Sequence, residues 1–148
     1  EFINWRVLIA IGSALGLGNA LLLTGVAETL ALSLMEISGN DIFWALTLTY
    51  LSTWLLTELI TNVAAAVLIF PIIESTAQSL GASIIPFAIV ILIAASSSFV
   101  TPIGYQTNLM VYSPGGYKYT DFTRVGLPLN LIIGIITVYL VPLIWELF

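Results

Sequence analysis

The sequence predicts an all-α membrane protein, and three observations carry that prediction. Of the 148 residues, 59% are hydrophobic and 7% are charged, whereas a soluble domain has about 25% charged residues. The stretches 7–27, 75–117 and 125–145 contain no charged residue. A membrane β-barrel would instead show segments of about ten residues with alternating polarity. Continuous apolar runs of this length favour helices that enter or cross the bilayer.

Several classes of function are excluded by residues that the sequence lacks. It has no cysteine and no histidine, which excludes disulfides, the usual zinc sites and histidine-dependent hydrolytic triads within this chain. We therefore predict no enzyme activity. Three basic residues against eight acidic ones argue against nucleic acid as a partner. Because the chain begins at Glu1 without a basic leader, we expect a fragment of a longer multi-pass protein.

The first two predicted elements are a span at residues 5–24 and a short helix at residues 26–37. Trp5 anchors the span at the membrane interface, and the glycines within it would let another helix approach closely. The short helix carries Glu28 and Glu36 and is too short and too polar to cross a membrane. We place it along the interface, in contact with lipid.

A re-entrant helical hairpin is predicted for residues 41–80. Asp41 is a good helix N-cap, and the two apolar runs that follow, 42–56 and 63–73, are each short for a full span. The polar segment 57–62 separates them. Two short runs around a polar turn indicate a hairpin whose tip lies inside the membrane, where irregular backbone must line a cavity.

A discontinuous helix is predicted for residues 82–112, and a second span for residues 122–147. Pro102 and Gly104 interrupt the uncharged run, and both residue types break helices. Trp145 would anchor the far end of the last span. These elements together describe an integral, multi-pass protein, which we assign to the plasma (inner) membrane.

Each predicted interruption carries a Thr-Asn pair, Thr61-Asn62 in the hairpin and Thr107-Asn108 after the helix break. Unwound turns free carbonyl oxygens, which together with hydroxyl and amide oxygens suit Na⁺. The N-terminal ends of half-helices suit an anion. Paired broken elements near the membrane midplane are the layout of secondary transporters. The alternative is that both interruptions are only kinks, in which Thr and Asn bond to the local backbone.

Three further polar features bear on function: Glu58, Asn130 and the serines at 96–98. Glu58 is the only acidic residue at the hairpin tip and predicts either a proton or cation site or a carboxylate that caps a half-helix or faces water. Asn130 lies within the last span and is expected to form a hydrogen bond between helices. The serines at 96–98 either pack against a neighbouring helix or line the transport path.

Two motifs resemble those of one family. Residues 57–64, TELITNVA, resemble the hairpin motif of the divalent anion:sodium symporter family, which includes sodium/sulfate and sodium/dicarboxylate symporters. Residues 102–109, PIGYQTNL, resemble the second broken-helix motif of that family. The two motifs occur in the family's order and spacing, and the resemblance covers nearly the whole chain.

The resemblance implies a sodium-coupled carrier of sulfate or of di- or tricarboxylates that works as a homodimer by an elevator motion. This chain would be the C-terminal, second inverted repeat, and the N-terminal repeat would be its partner. By the same resemblance, sodium is bound by Thr57, Asn62 and the carbonyls of Ile60 and Gly104. The substrate-binding residues that it implies are Thr61, Asn62, Val63, Tyr105, Gln106, Thr107 and Asn108.

The chain departs from the family pattern at two places that bear on the substrate. Val63 replaces a threonine, which removes one hydroxyl contact to the substrate, and residues 105–107 replace the Thr-Pro-Pro of dicarboxylate carriers. The second departure favours sulfate or another oxyanion over a dicarboxylate. An ion channel and a non-transporting membrane scaffold are the alternative functions, and saturable, sodium-dependent uptake would separate a carrier from both.

Overall fold

The computed structural model describes residues 23–145 together with Gly12, Ser13, Gly16 and Ala20, the side chains of Ala27, Glu28, Ala31 and Met35 excepted. Between residues 26 and 144, six helices follow one another: α1 (Val26–Ser38), α2 (Ile42–Thr57), α3 (Asn62–Ser79), α4 (Ile84–Ser96), α5 (Gln106–Tyr112) and α6 (Tyr119–Ile144). The described residues form no strand, so the all-α prediction is confirmed. The predicted span at residues 5–24 lies almost wholly outside the described residues, as do residues 146–148.

Helices α2 and α3 are the two arms of a helical hairpin that residues 58–61 connect. The Asp41 carboxylate begins α2, because it accepts two backbone N–H groups of the first turn at 2.8 and 3.2 Å. The Thr61 hydroxyl begins α3 by accepting the N–H of Ala64 at 3.4 Å. The entry of this hairpin into the membrane from one side stays a prediction.

An irregular segment at residues 97–105, called the break below, separates α4 from α5. The helix breakers Pro102 and Gly104 both lie within it. α5 has seven residues, none of which is buried. The break is the longest irregular stretch between two helices of the described part. Its backbone N–H and C=O groups therefore need hydrogen-bond partners other than those of a helix.

Helix α6 is 26 residues long and is the one helix of the described part that could cross a membrane by length and composition. It begins at Tyr119 and not at residue 122 as predicted. The reason is that the Asp121 carboxylate accepts the N–H of Lys118 at 2.8 Å and so caps the first turn. Helices α2 and α4 are also apolar but are shorter than a span.

The core lies where α2, α3 and α4 pack on one another, with α1 and α6 packed on this group. Its fully buried large side chains include Leu46, Ile73 and Phe87. Buried alanines, such as Ala45 and Ala94, allow the helix axes to approach closely. This packing holds the C-terminal ends of α2 and α4 beside each other, and the hairpin turn therefore meets the break.

Candidate functional site

The hairpin turn, residues 57–62, lies directly against the end of α4 and the break. Thr57 is fully buried, and its Oγ1 lies 2.8 Å from the carbonyl oxygen of Ala95 and 3.0 Å from Oδ1 of Asn62. A hydroxyl has one proton, so Thr57 donates to one of these oxygens at a time. The Ser98 hydroxyl donates to the Thr57 carbonyl at 3.3 Å. Two predicted sodium ligands, Thr57 and Asn62, are thus in contact.

Glu58 joins the hairpin turn to the break through its carboxylate. Glu58 is buried, with only 6% of its surface exposed. Oε1 accepts the N–H of Val100 at 3.0 Å and the indole N–H of Trp54 at 3.2 Å, while Oε2 accepts the N–H of Thr101 at 2.9 Å. A buried carboxylate needs such donors, and hydrogen bonds to ionised groups are the stronger ones. Of the two interpretations of Glu58, these contacts support capping, although the capped N–H groups belong to the break and not to a helix end.

Side chains from within and beside the break hold its unwound backbone. The Thr101 hydroxyl donates to the Glu58 carbonyl at 3.2 Å and accepts the N–H of Gly104 at 3.0 Å. The Asn108 amide donates to the carbonyls of Ser98 and Thr101 at 2.9 and 3.1 Å. Gly104 is buried, and an added Cβ would overlap the Ser98 hydroxyl and lie 3.0 Å from Oε2 of Glu58. An alanine at this position would therefore force the Ser98 side chain to move.

Helix α6 also packs on the break. At Gly126 an added Cβ would overlap the carbonyl group of Phe99, so the helix and the break touch backbone to backbone. The buried amide of Asn130 donates to the Ser97 carbonyl at 2.6 Å. The Tyr50 hydroxyl lies 3.1 Å from Oδ1 of Asn130 and connects α2 to the same group. The prediction that Asn130 forms a hydrogen bond between helices is confirmed.

Three of the four predicted sodium ligands lie in one cluster. Thr57 contacts Asn62 directly, and Ser98 bonds to Thr57 while packing against Gly104. Ile60, the fourth, is half-buried in the same turn. The described residues contain no group of three His, Cys, Asp or Glu side chains that could hold a metal ion. The oxygens in this cluster are hydroxyl, amide and carbonyl oxygens together with the Glu58 carboxylate, and the assignment to sodium stays a prediction.

The predicted substrate-binding residues are mostly at the surface of the described part. Asn62 and Asn108 are half-buried, and the other five are exposed: Thr61, Val63, Tyr105, Gln106 and Thr107. The Thr61 hydroxyl caps α3, and the Asn108 amide nitrogen bonds to the break. The exposed residues flank the buried cluster at both of its edges, the start of α3 and the start of α5. Their contact with a substrate stays a prediction.

Sequence reasoning did not single out Thr101 or Tyr50. Both could have been found from the pattern of polar residues. Thr101 directly precedes Pro102, and the residue before a proline is biased towards extended backbone. Tyr50 precedes Thr53 and Thr57 at spacings of three and seven on an apolar helix, and such spacings place polar side chains on one buried face.

The family of this chain follows from comparison with known proteins. The profile of the citrate transporter family matches residues 1–147. The chain belongs to the citrate transporter family. This membership agrees with the predicted resemblance to divalent anion:sodium symporters, and the three relatives described next are named as transporters, cotransporters or solute carriers and not as enzymes.

Three relatives of this citrate transporter family chain illustrate the range of similarity. An uncharacterised transporter of Synechocystis is 45% identical over 97% of the chain. Sodium/sulfate cotransporter 1 of Chlamydomonas reinhardtii is 38% identical over 93% of the chain. Solute carrier family 13 member 2 of Mus musculus is 30% identical over 96% of the chain. The chain spans 24%, 16% and 24% of the length of these relatives, respectively.

Proposed function

We propose that this chain is one half of the transport core of a sodium-coupled carrier of a divalent anion, with sulfate as the first substrate to test. The observation that carries the proposal is the junction of the hairpin turn and the break, where Thr57, Asn62 and Gly104 come together. The similarity to sodium/sulfate cotransporters supports sodium and sulfate. The whole carrier would be a homodimer in the plasma (inner) membrane that works by an elevator motion.

The oxygens at this junction have the chemistry that a sodium ion needs. When the Thr57 hydroxyl donates its proton to the Ala95 carbonyl at 2.8 Å, its lone pairs are free for a cation. Oδ1 of Asn62 lies 3.0 Å from the Thr57 hydroxyl oxygen, so these two oxygens can bind one ion. The carbonyls of Ile60 and Gly104 would complete the site. Sodium binding would then fix the turn that begins α3.

The substrate anion would bind beside the ion. Helix α3 begins with Asn62 and Val63, and the positive end of its dipole favours an anion. No Lys or Arg occurs between Arg6 and Lys118, so the segments that carry the predicted ligands contain no cationic side chain. A bound sodium ion would therefore supply the positive charge that a dianion requires. This dependence gives a physical reason for coupling anion uptake to sodium.

Uptake into proteoliposomes tests the proposal with the full-length carrier that contains this chain. We expect saturable uptake of labelled sulfate that requires an inward sodium gradient, with succinate and citrate as competing substrates. A flux that does not saturate would favour a channel. The absence of uptake of all three anions, with or without sodium, would overturn the proposal.

The Asn62→Ala variant tests the site within the same assay. It removes the amide oxygen that is expected to bind both ion and substrate, so sodium-dependent uptake should fall to the background of empty vesicles. The protein should still fold, because Asn62 is only half-buried. Gln78→Ala, at an exposed amide on the same helix, is the matched control and should transport like the wild type. Normal uptake by Asn62→Ala would refute the site assignment.

A further inference from the structure

Glu58 is buried in the described structure without a basic side chain as partner. Its three hydrogen-bond donors are the indole of Trp54 and the backbone N–H groups of Val100 and Thr101. A carboxylate in this environment is expensive to bury unless its donors are well placed. Two consecutive backbone N–H groups, one on each carboxylate oxygen, meet that requirement and fix the orientation of the break at that point.

A short chain of hydrogen bonds leads from Glu58 to Gly104. The Glu58 carboxylate holds the backbone of Thr101, and the Glu58 carbonyl accepts the Thr101 hydroxyl at 3.2 Å. The same hydroxyl accepts the N–H of Gly104 at 3.0 Å. Oε2 of Glu58 is also 3.0 Å from the place of a Cβ at Gly104. The direction of the peptide groups around Gly104 therefore depends on Glu58.

We propose that Glu58 is a positioning residue that sets the Gly104 side of the sodium site, an inference that rests on the proposed function above. It acts through Val100 and Thr101 and does not itself need to bind the ion. Its negative charge lies close to Gly104 and adds an attraction for a cation in a region of low dielectric. Loss of Glu58 should therefore weaken sodium binding more than the later steps of transport.

The Glu58→Gln variant is the direct test in the full-length carrier. A carboxamide has one acceptor oxygen, and its NH₂ group would face a backbone N–H, so either Val100 or Thr101 loses its partner. We expect the sodium concentration for half-maximal sulfate uptake to rise about tenfold or more. The maximal rate at saturating sodium should stay above about half of the wild-type rate, because a positioning role acts on sodium affinity.

Two further variants calibrate this result. Glu58→Asp keeps the charge on a shorter side chain and should restore part of the sodium affinity. Glu74→Gln removes a half-buried acid of α3 that lies outside the site, and it should leave the sodium dependence unchanged. A merely structural role for Glu58 would lower the yield or the maximal rate without shifting the sodium concentration for half-maximal uptake.

The outcomes separate this inference from the proposed function. Wild-type uptake that does not depend on sodium would overturn the proposed function. Sodium-dependent wild-type uptake with an unchanged sodium requirement in Glu58→Gln would overturn the role of Glu58 alone. If Glu58→Gln does not fold, Trp54→Phe removes one donor to Oε1 and should raise the sodium requirement about threefold. An unchanged requirement in both Trp54→Phe and Glu58→Asp would also overturn the inference.

Discussion

Replacing Gly126 with alanine should separate α6 from the break and destabilise the site from outside. The added Cβ would overlap the Phe99 carbonyl and lie 2.8 Å from the backbone nitrogen of Val100. These are main-chain atoms and cannot rotate away as a side chain can. Either α6 or the break must move, and the peptide groups that follow Phe99 would move with it.

The magnitude follows from two opposing effects of the Gly126→Ala change. Overpacking a close contact destabilises by about 1–3 kcal/mol, and a clash with backbone belongs to the upper part of that range. Alanine in place of glycine regains about 1 kcal/mol of helix propensity. The expected net loss of stability is therefore about 1–2 kcal/mol. If the same energy opposes sodium binding, the sodium requirement rises by about 5- to 30-fold.

Gly134→Ala is the matched comparison on the same helix. Its Cβ would lie 2.7 Å from Cε1 of Tyr50, an atom of a side-chain ring that can shift. The overpacking should then be near 1 kcal/mol and roughly cancel the gain in helix propensity. Gly134→Ala should keep nearly wild-type stability.

The assay is thermal unfolding of the purified full-length protein in detergent, together with the sodium dependence of uptake. Gly126→Ala should lower the apparent unfolding temperature by about 1–2 °C, and Gly134→Ala by less. Equal stability of Gly126→Ala and the wild type, with an unchanged sodium requirement, would refute the close packing of α6 on the break. A larger loss in Gly134→Ala than in Gly126→Ala would refute the ranking.

Three other predictions concern the polar contacts around the break. Tyr50→Phe removes the hydroxyl at 3.1 Å from Asn130 and should lower stability by about 1 kcal/mol with transport retained; a loss of transport at normal stability would contradict this. Asn130→Ala also deprives the Ser97 carbonyl of its donor at 2.6 Å and opens a cavity, so it should lose about 2–3 kcal/mol; chemical denaturation that ranks Tyr50→Phe as the worse variant would disprove this order. Thr61→Cys, at an exposed position in a chain with no cysteine, should react with a polar thiol reagent more slowly when sodium and sulfate are present; identical labelling rates would argue for a simple kink.

The positions of the helices could largely be predicted from the sequence, because polar turns interrupt the apolar runs. Asp41 and Thr61 cap the helices that follow them, and Pro102 and Gly104 lie in an irregular segment. Helix α6 begins before residue 122, where the last span was predicted to begin, because the Asp121 carboxylate accepts the Lys118 N–H. Neither apolar composition nor the usual N-cap residues reveal this cap, because its N-cap position holds a lysine.

The contacts within the site could be predicted only in part. The two interrupted segments were grouped by composition, and their proximity follows from the packing of α2 on α4. The partner of Glu58 could not be predicted, because its donors Val100 and Thr101 use backbone N–H groups that every residue except proline possesses. Only the fold decides which N–H groups face the carboxylate. The same holds for Gly126, whose need for glycine depends on the Phe99 backbone.

The two arms of the hairpin are held to the rest of the site with unequal strength. In the described structure, five hydrogen bonds join Thr57 and Glu58, at the end of α2, to residues 95–101. Among the described residues, the first turn of α3 is tied to the same group only by the hydrogen-bond contact of the Thr57 hydroxyl with Oδ1 of Asn62, which competes with the Ala95 carbonyl for one proton. Local opening begins where the fewest contacts must break, so we expect the start of α3 to release first. The sodium ion proposed between Thr57 and Asn62 would then leave from the α3 side of its site, while the α2 side and the break stay assembled for the next ion.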